Sequence, residues 1–433
     1  MEQLFHKTNR TRLYESLSDG SLLVLFAGKA LRQSADAFYP FFPHRHFVYL
    51  TGIDGSYAES LVFMAAKEAG EVTETVMLLP PDEHKETWNG PRLKAKEAIE
   101  LSGAENIAYI EDFPALFHKA AESGRFHTVW LNLERFAPDE PDDENQRFAK
   151  QVRMLYPYLG INTVFPLVRK LRTIKAPCEI EAMRRAMRIT REGILAMMAF
   201  AGPGVYEYEL KAEYDRALTR NRVITPAFPS IISSGDNNFC IHYYGYMRQA
   251  MDGDMILNDV GAQWDGLCND VSRGWPVNGK FSEKQRLLYT CAYNTSEYMF
   301  SIIKPGMPMA DVDKTARRYC FEQLKAIGLL SDFGEAGRYI WHGGAHHVGY
   351  DVHDVVDYTM AIAPGMVFCV DIGIYCREWG IGFRLEDNCL VTENGCENLS
   401  ASIPRSIKDI EDYMASAKAP DAGTSVLYNY KFL

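Results

Sequence analysis

His342-Gly-Gly-Ala-His346-His347-Val-Gly-Tyr-Asp-Val-His353-Asp354 gathers four of the chain's eleven histidines into twelve residues. Gly343 and Gly344 disfavour a helix, so this is a histidine-bearing loop and not a pair of ligands one helical turn apart. Acid-bearing apolar segments flank it. On the N-terminal side Met255-Ile-Leu-Asn-Asp259-Val-Gly261 reads as a strand, Asp265-Gly266 as a hairpin turn, and Leu267 to Val271 as a returning strand with Asp270 near its end. On the C-terminal side Met366-Val-Phe-Cys-Val-Asp371 is an apolar strand ending in an acid. Phe383-Arg-Leu-Glu386-Asp387 follows it beyond a short turn containing Gly380 and Gly382.

Folding each segment back on itself pairs Asp259 with Asp270 and Asp371 with Glu386. Two bare carboxylates side by side repel, so each pair needs a shared proton or a cation. Solvated turn-capping aspartates would account for the first pair equally well, and Arg384 could neutralise one acid of the second. A histidine-rich loop between the two pairs has no such ordinary explanation. Four carboxylates and one imidazole make a hard, oxygen-rich set suited to Mn²⁺ or Co²⁺, with Zn²⁺ also accommodated. No thiolate belongs to that set, and Cys240, Cys268 and Cys369 read as buried fillers. Two ions about 3.5–4 Å apart would generate a hydroxide at neutral pH and polarise a carbonyl, which is hydrolytic chemistry.

Outward from these strands, Ile180, Met183, Met187, Ile194 and Met198 keep one helical face apolar and read as core. After Gly202-Pro-Gly-Val205 a second helix presents Leu210, Tyr214, Ala217 and Leu218. The unit recurs: Ser282 and Gln285 form a capping box opening a helix that runs to Ile303, Lys304-Pro-Gly-Met307 ends it, and a helix with Val312 and Tyr319 inward follows. An internal duplication of helix, Pro-Gly, helix and strands is expected. Residues 1–165 alternate short apolar runs (Ser21 to Ala27, Glu59 to Ala65, Thr75 to Leu79, Thr128 to Leu133) with helix-like stretches, giving an α/β domain. His44 and His46 fit packing or surface roles there. Residues 166–177 read as a connector and 178–433 as the acid-bearing domain.

Composition narrows the partners. A formal net charge of -11 without a Lys/Arg run argues against nucleic acid. The N-terminus lacks a secretory apolar region and no stretch of 18 apolar residues occurs, so no membrane and a cytoplasmic location are expected. Nine cysteines without CxxC spacing argue against a disulfide framework or a zinc ribbon.

Asp259, Asp270, His346, Asp371 and Glu386, in this order, resemble the metallopeptidases of the pita-bread fold, and within them Xaa-Pro aminopeptidase (aminopeptidase P) and its relative prolidase. The likeness covers nearly the whole chain. Its specific stretches are Asp270-Val-Ser-Arg-Gly-Trp-Pro-Val-Asn-Gly-Lys-Phe281, His342 to Asp354, Pro364-Gly-Met-Val367 and Arg384-Leu-Glu-Asp387. In the front half, Phe47-Val-Tyr-Leu-Thr-Gly-Ile53 and Glu86-Thr-Trp-Asn-Gly-Pro-Arg-Leu93 resemble the creatinase-type N-terminal domain. The resemblance implies that creatinase-type α/β domain followed by an α+β pita-bread domain with an internal pseudo-twofold repeat.

It further implies that Asp259, Asp270 and Glu386 bind two divalent ions, two of these acids as bridges, and that His346 binds one ion. Mn²⁺ is the ion expected first. His242 matches the substrate-site histidine, while His353 and His342 match residues touching the scissile peptide and the proline. Arg384 matches a support of the acidic cluster. Trp88 matches a tryptophan that enters a neighbouring subunit's site in tetrameric relatives, which implies a homo-oligomer, dimer or tetramer. The implied activity is metal-dependent release of the residue preceding a proline at position two of a peptide, by a metal-bridging hydroxide, with His353 and Asp371 catalytic. Two departures keep alternatives open. Asp371-Ile-Gly373 stands where the family has glutamate followed by Pro-Gly, so a catalytically impaired peptide-binding relative is one alternative. Residues 355–366 lack the arginine that many relatives use to grip a peptide carboxylate, which counts against the other, a strict Xaa-Pro dipeptidase, and nothing in the sequence assigns that role to Arg377.

Overall fold

The structure, a computed structural model, describes residues 1–418; residues 419–433, the tail of the expected second domain, lie outside the described residues. The chain divides into two compact units, Met1–Thr173 and Ile174–Leu433.

In the first unit the β-branched and leucine-rich runs become strands Ser21–Phe26, Val62–Glu68, Glu71–Leu78 and Thr128–Leu131, joined by Asn106–Tyr109 and Gly160–Thr163. They form one mixed six-stranded sheet in the order 106–109, 71–78, 62–68, 21–26, 128–131, 160–163. Ser21–Phe26 runs antiparallel to Val62–Glu68 and parallel to Thr128–Leu131. Its near-complete burial matches its unbroken apolar sequence, as a strand covered on both faces requires. Much of the stretch read as a connector is helical, in Phe165–Thr173. His46 is buried and bonded to Asn132 at 3.1 Å, a packing role.

In the second unit the helix–turn–helix–sheet order occurs twice. Helices Pro177–Phe200 and Glu207–Arg220 precede a sheet of Ile231–Ser234, Met255–Val260 and Val271–Pro276; helices Glu283–Ile302 and Met309–Ala326 precede Val367–Cys376, Ile381–Val391 and Cys396–Asn398. Both sheets are antiparallel. Ser282 caps its helix through the reciprocal bonds with Gln285. The two Pro-Gly turns are superimposable in their bonding. Gly204 and Gly306 both hold positive φ, and their N–H groups donate to Ala250 O and Ile362 O respectively. Bridges Tyr206↔Gln249 and Pro308↔Ala361 then tie each turn to the segment just ahead of an acid-bearing strand. The helices bury Met187, Ile194, Leu210, Tyr214, Leu288 and Val312 in a core continuous with Ile256, Phe368, Val370, Phe383 and Leu385 from the strands. Asp259, Asp371 and Glu386 are thus carried by strands packed against helices, and Asp270 immediately precedes one.

Candidate metal centre

The second hairpin places its acids as the sequence suggests: Asp371 stands directly opposite Glu386 in the ladder. The first differs in detail. Asp265 and Gly266, both with positive φ, form a two-residue turn with Trp264 paired to Leu267. The returning chain then leaves the ladder at Asn269 and Asp270 before pairing resumes, with Val271 opposite Val260 and Ser272 opposite Asp259. Asp270 therefore lies just past the end of the ladder. The pinch needs glycine on the other side, since a Cβ on Gly261 would meet Asn269 O at 1.9 Å.

Arg384 ties the two hairpins together. Its Nη2 donates to Asp259 Oδ2 at 2.8 Å, its Nε to Ser272 Oγ at 3.3 Å and its Nη1 to the Tyr375 hydroxyl at 3.2 Å. Ser272 Oγ in turn donates to Glu386 Oε2 at 2.8 Å. The histidine loop brings His346 Nε2 to 3.3 Å from Glu386 Oε1 and 3.5 Å from Asp270 Oδ2. His342 Nδ1 lies 3.1 Å from Asp371 Oδ2, and its Nε2 is 3.0 Å from the Tyr375 hydroxyl. Gly373 makes room for that ring, because a Cβ there would meet His342 Nε2 at 2.3 Å. His353 stacks edge-on against His346, ring centres 4.4 Å apart. A buried ion pair, Lys175 Nζ to Asp354 Oδ2 at 2.7 Å, anchors the loop beside His353.

The charges respond to this crowding. Burial, then the neighbouring Glu386 and Asp259, hold the Asp270 carboxyl well above its usual range, and burial with Asp371 raises Glu386. Burial also opposes ionisation of Asp371, yet His342, Arg384 and His346 outweigh it and keep this carboxyl low. His342 is the counterpart: burial disfavours its cation, but the Asp371 charge and hydrogen bond push it up to about 9. Burial and the nearby His346 hold His353 below its ordinary value. His242 is exposed on the loop after the short helix Gly235–Phe239, and it is close enough to contribute to that lowering.

One oxygen of each expected acid ligand, Asp259 Oδ1, Asp270 Oδ1, Asp371 Oδ1 and Glu386 Oε1, is buried without a hydrogen bond. Four buried acid oxygens without a hydrogen bond, with the His346 ring nitrogen 3.3 Å from that of Glu386, make a donor set that fits divalent metal. Asp270, His346, Cys369 and Glu386 each offer a ligand atom within 4.8 Å of one another. Trp88 stands in the first unit on helix Glu83–Asn89, 77% exposed.

Ser272, Tyr375, Asn388 and Cys369 were not assigned to the site from sequence. Asn388 accepts the Asp270 N–H at 3.2 Å and donates to Asp270 O at 2.7 Å, fixing the acid that leaves the ladder. The signal was alternation: Cys369, Asp371, Gly373 and Tyr375 share one strand face, as do Arg384, Glu386 and Asn388.

Comparison with known proteins settles the lineage. Residues 181–393 match the model described as metallopeptidase family M24, and residues 6–130 match the aminopeptidase P N-terminal domain. A Bacillus anthracis protein provisionally assigned as an aminopeptidase P shares 35% identity and a TM-score of 0.94, over 97% of this chain and 100% of its own. The chain belongs to metallopeptidase family M24. Within this family, Escherichia coli aminopeptidase P in complex with the inhibitor Pro-Leu superposes with a TM-score of 0.88 at 27% identity, covering 96% of this chain and 99% of that one. The Xaa-Pro aminopeptidase of Haemophilus influenzae is 29% identical over 426 residues, which are 94% of this chain and 96% of the relative. The M24 chain is therefore a metallopeptidase, with the pita-bread catalytic fold behind an aminopeptidase P N-terminal domain.

Proposed function

We propose that this M24 metallopeptidase removes the N-terminal residue from peptides whose second residue is proline, using two divalent ions of which Mn²⁺ is the first candidate. The observation that carries the reading is the set of four buried, unbonded carboxylate oxygens beside His346, in a chain whose family includes enzymes named for the Xaa-Pro bond. Asp259, Asp270, His346, Asp371 and Glu386 would hold the ions. When bound, such ions supply an activated water at neutral pH and polarise the scissile carbonyl.

The chain's own groups do the rest. Arg384 fixes Asp259 and, through Ser272, Glu386, so that the free oxygen of each acid faces the centre. Asp371 takes up a proton at its carboxylate and shares it with His342 Nδ1, 3.1 Å away, whose raised affinity suits it to hold that proton. His353, kept neutral by burial, presents a ring nitrogen able to bond the scissile peptide, with His242 nearby. His342 contacts the proline side. In this reading the protein works in the cytoplasm as a homo-oligomer in which Trp88, exposed in one chain, meets a neighbour. Among the described residues no helix is long and apolar enough to cross a membrane.

Mn²⁺-loaded protein assayed on Xaa-Pro-Yaa tripeptides beside Xaa-Pro dipeptides tests this. Tripeptide cleavage is expected. Cleavage of dipeptides alone would make the chain a prolidase. Cleavage of neither, with no metal found by elemental analysis, would overturn the enzymatic reading.

A further inference from the structure

The donors gathered around His346 include one that a purely oxygen-and-nitrogen centre does not need. Asp270, His346, Cys369 and Glu386 bring four ligand atoms within 4.8 Å of one another, while Asp371, one methylene shorter than the family's glutamate, is not of this group. Its Oδ2 instead meets His342. Cys369 lies two residues before Asp371 on the same strand and so projects from the same face. It is fully buried, and its sulfur accepts a bond from Asn388 Nδ2 at 3.4 Å. The same amide side chain holds the backbone of Asp270, so sulfur and acid are positioned by one group. A sulfur that already accepts an N–H bond is oriented as outer partners orient metal-bound ligands. Two of the buried oxygens without a hydrogen bond, Asp270 Oδ1 and Glu386 Oε1, belong to this quartet.

Ligands about 2.0–2.3 Å from a tetrahedral ion stand roughly 3.3–3.8 Å apart. Donors already within 4.8 Å reach that spacing by small side-chain rotations.

Resting on the two-ion reading above, we propose that Cys369 is a sulfur ligand of the ion beside His346, which gives this chain one mixed nitrogen, oxygen and sulfur position and one all-oxygen position. Ligation replaces the S–H proton by the ion, and the proton leaves to solvent. The mixed position selects Zn²⁺ or Co²⁺, whereas the position built on Asp259 and Asp371 keeps the hard character that suits Mn²⁺.

X-ray absorption at the zinc edge on the full chain loaded with one equivalent of Zn²⁺ tests it without recourse to activity. A sulfur neighbour at about 2.3 Å is expected in the wild type, replaced in Cys369→Ser by oxygen or nitrogen at about 2.0–2.2 Å. Cys178→Ser, altered at an exposed thiol, retains the sulfur signal. Zn²⁺ affinity falls about tenfold or more in Cys369→Ser while Mn²⁺ affinity changes little. A wild-type spectrum without sulfur, a sulfur signal that persists in Cys369→Ser, or no zinc uptake overturns the proposal. Because the wild-type spectrum alone can refute it, a variant that fails to fold does not shelter it. Xaa-Pro cleavage by a protein lacking the sulfur signal removes this inference and leaves the proposed function standing; sulfur-bound zinc without cleavage does the reverse.

Discussion

Replacing Arg384 with methionine, R384M, separates the metal's contribution from the guanidinium's. Arg384 is 3% exposed and donates to the carboxylate of Asp259 and to the uncharged hydroxyls of Ser272 and Tyr375. Methionine roughly keeps the volume and removes every donor. Breaking a buried pair by deleting one partner costs about 3–5 kcal/mol, because the other charge stays buried without compensation. Here the abandoned Asp259 sits beside Asp270 and Glu386, both already raised by burial and mutual repulsion. In metal-free protein the full cost is expected, a fall in Tm of about 6–20 °C at about 2–4 °C per kcal/mol. In metal-loaded protein the ions neutralise Asp259, and the loss shrinks to about 1.5–3 kcal/mol, the worth of a charged hydrogen bond. Urea unfolding and calorimetry of wild type and R384M, each stripped and loaded, measure both figures. Equal losses in the two metal states, or a metal-free loss below about 1 kcal/mol, would refute the assignment of Arg384 as the cluster's internal counter-ion.

Lengthening the short ligand, D371E, is expected to raise the rate on Xaa-Pro-Yaa, by as much as about a hundredfold if about 1 Å of reach is what positioning lacks; an unchanged or lower rate means the strand has adapted to aspartate. In metal-free protein His342, pushed up to about 9 from an unfolded value near 6.5, adds stability that is complete below about pH 6.5 and is lost as pH rises through about 9. That slope should flatten in H342A, and a slope unaffected by the substitution would remove the His342–Asp371 pair as its source.

The site was legible in sequence where charge stood in apolar surroundings. Asp259, Asp371 and Glu386 announced themselves because acids inside strands need partners, and the two Pro-Gly turns exposed the repeat. Neutral members of the same faces carried no such signal: Ser272 and Tyr375 matter only once the register puts them against Glu386 and Arg384. Asp387 shows the converse. It is as acidic as Glu386 but points to the other face, where Arg273 at 2.7 Å and Arg405 at 3.0 Å hold it in a buried structural pair. The departure of Asp270 from its ladder was hidden for another reason. It depends on Gly261 and Asn388, one beside it and one from the far hairpin, and a local reading of strand propensity sees neither contact.

The bonds that knit the two hairpins also say when in the life of a nascent chain the centre first exists. Arg384 and Asp259 are 125 residues apart in sequence, and Ser272 and Glu386 are 114 apart. Contacts of that span form slowly, after local helices and turns. No half of the repeat can assemble the cluster alone, so a partly synthesised chain offers a metal only scattered, solvated acids, and tight uptake becomes a timestamp of completed folding.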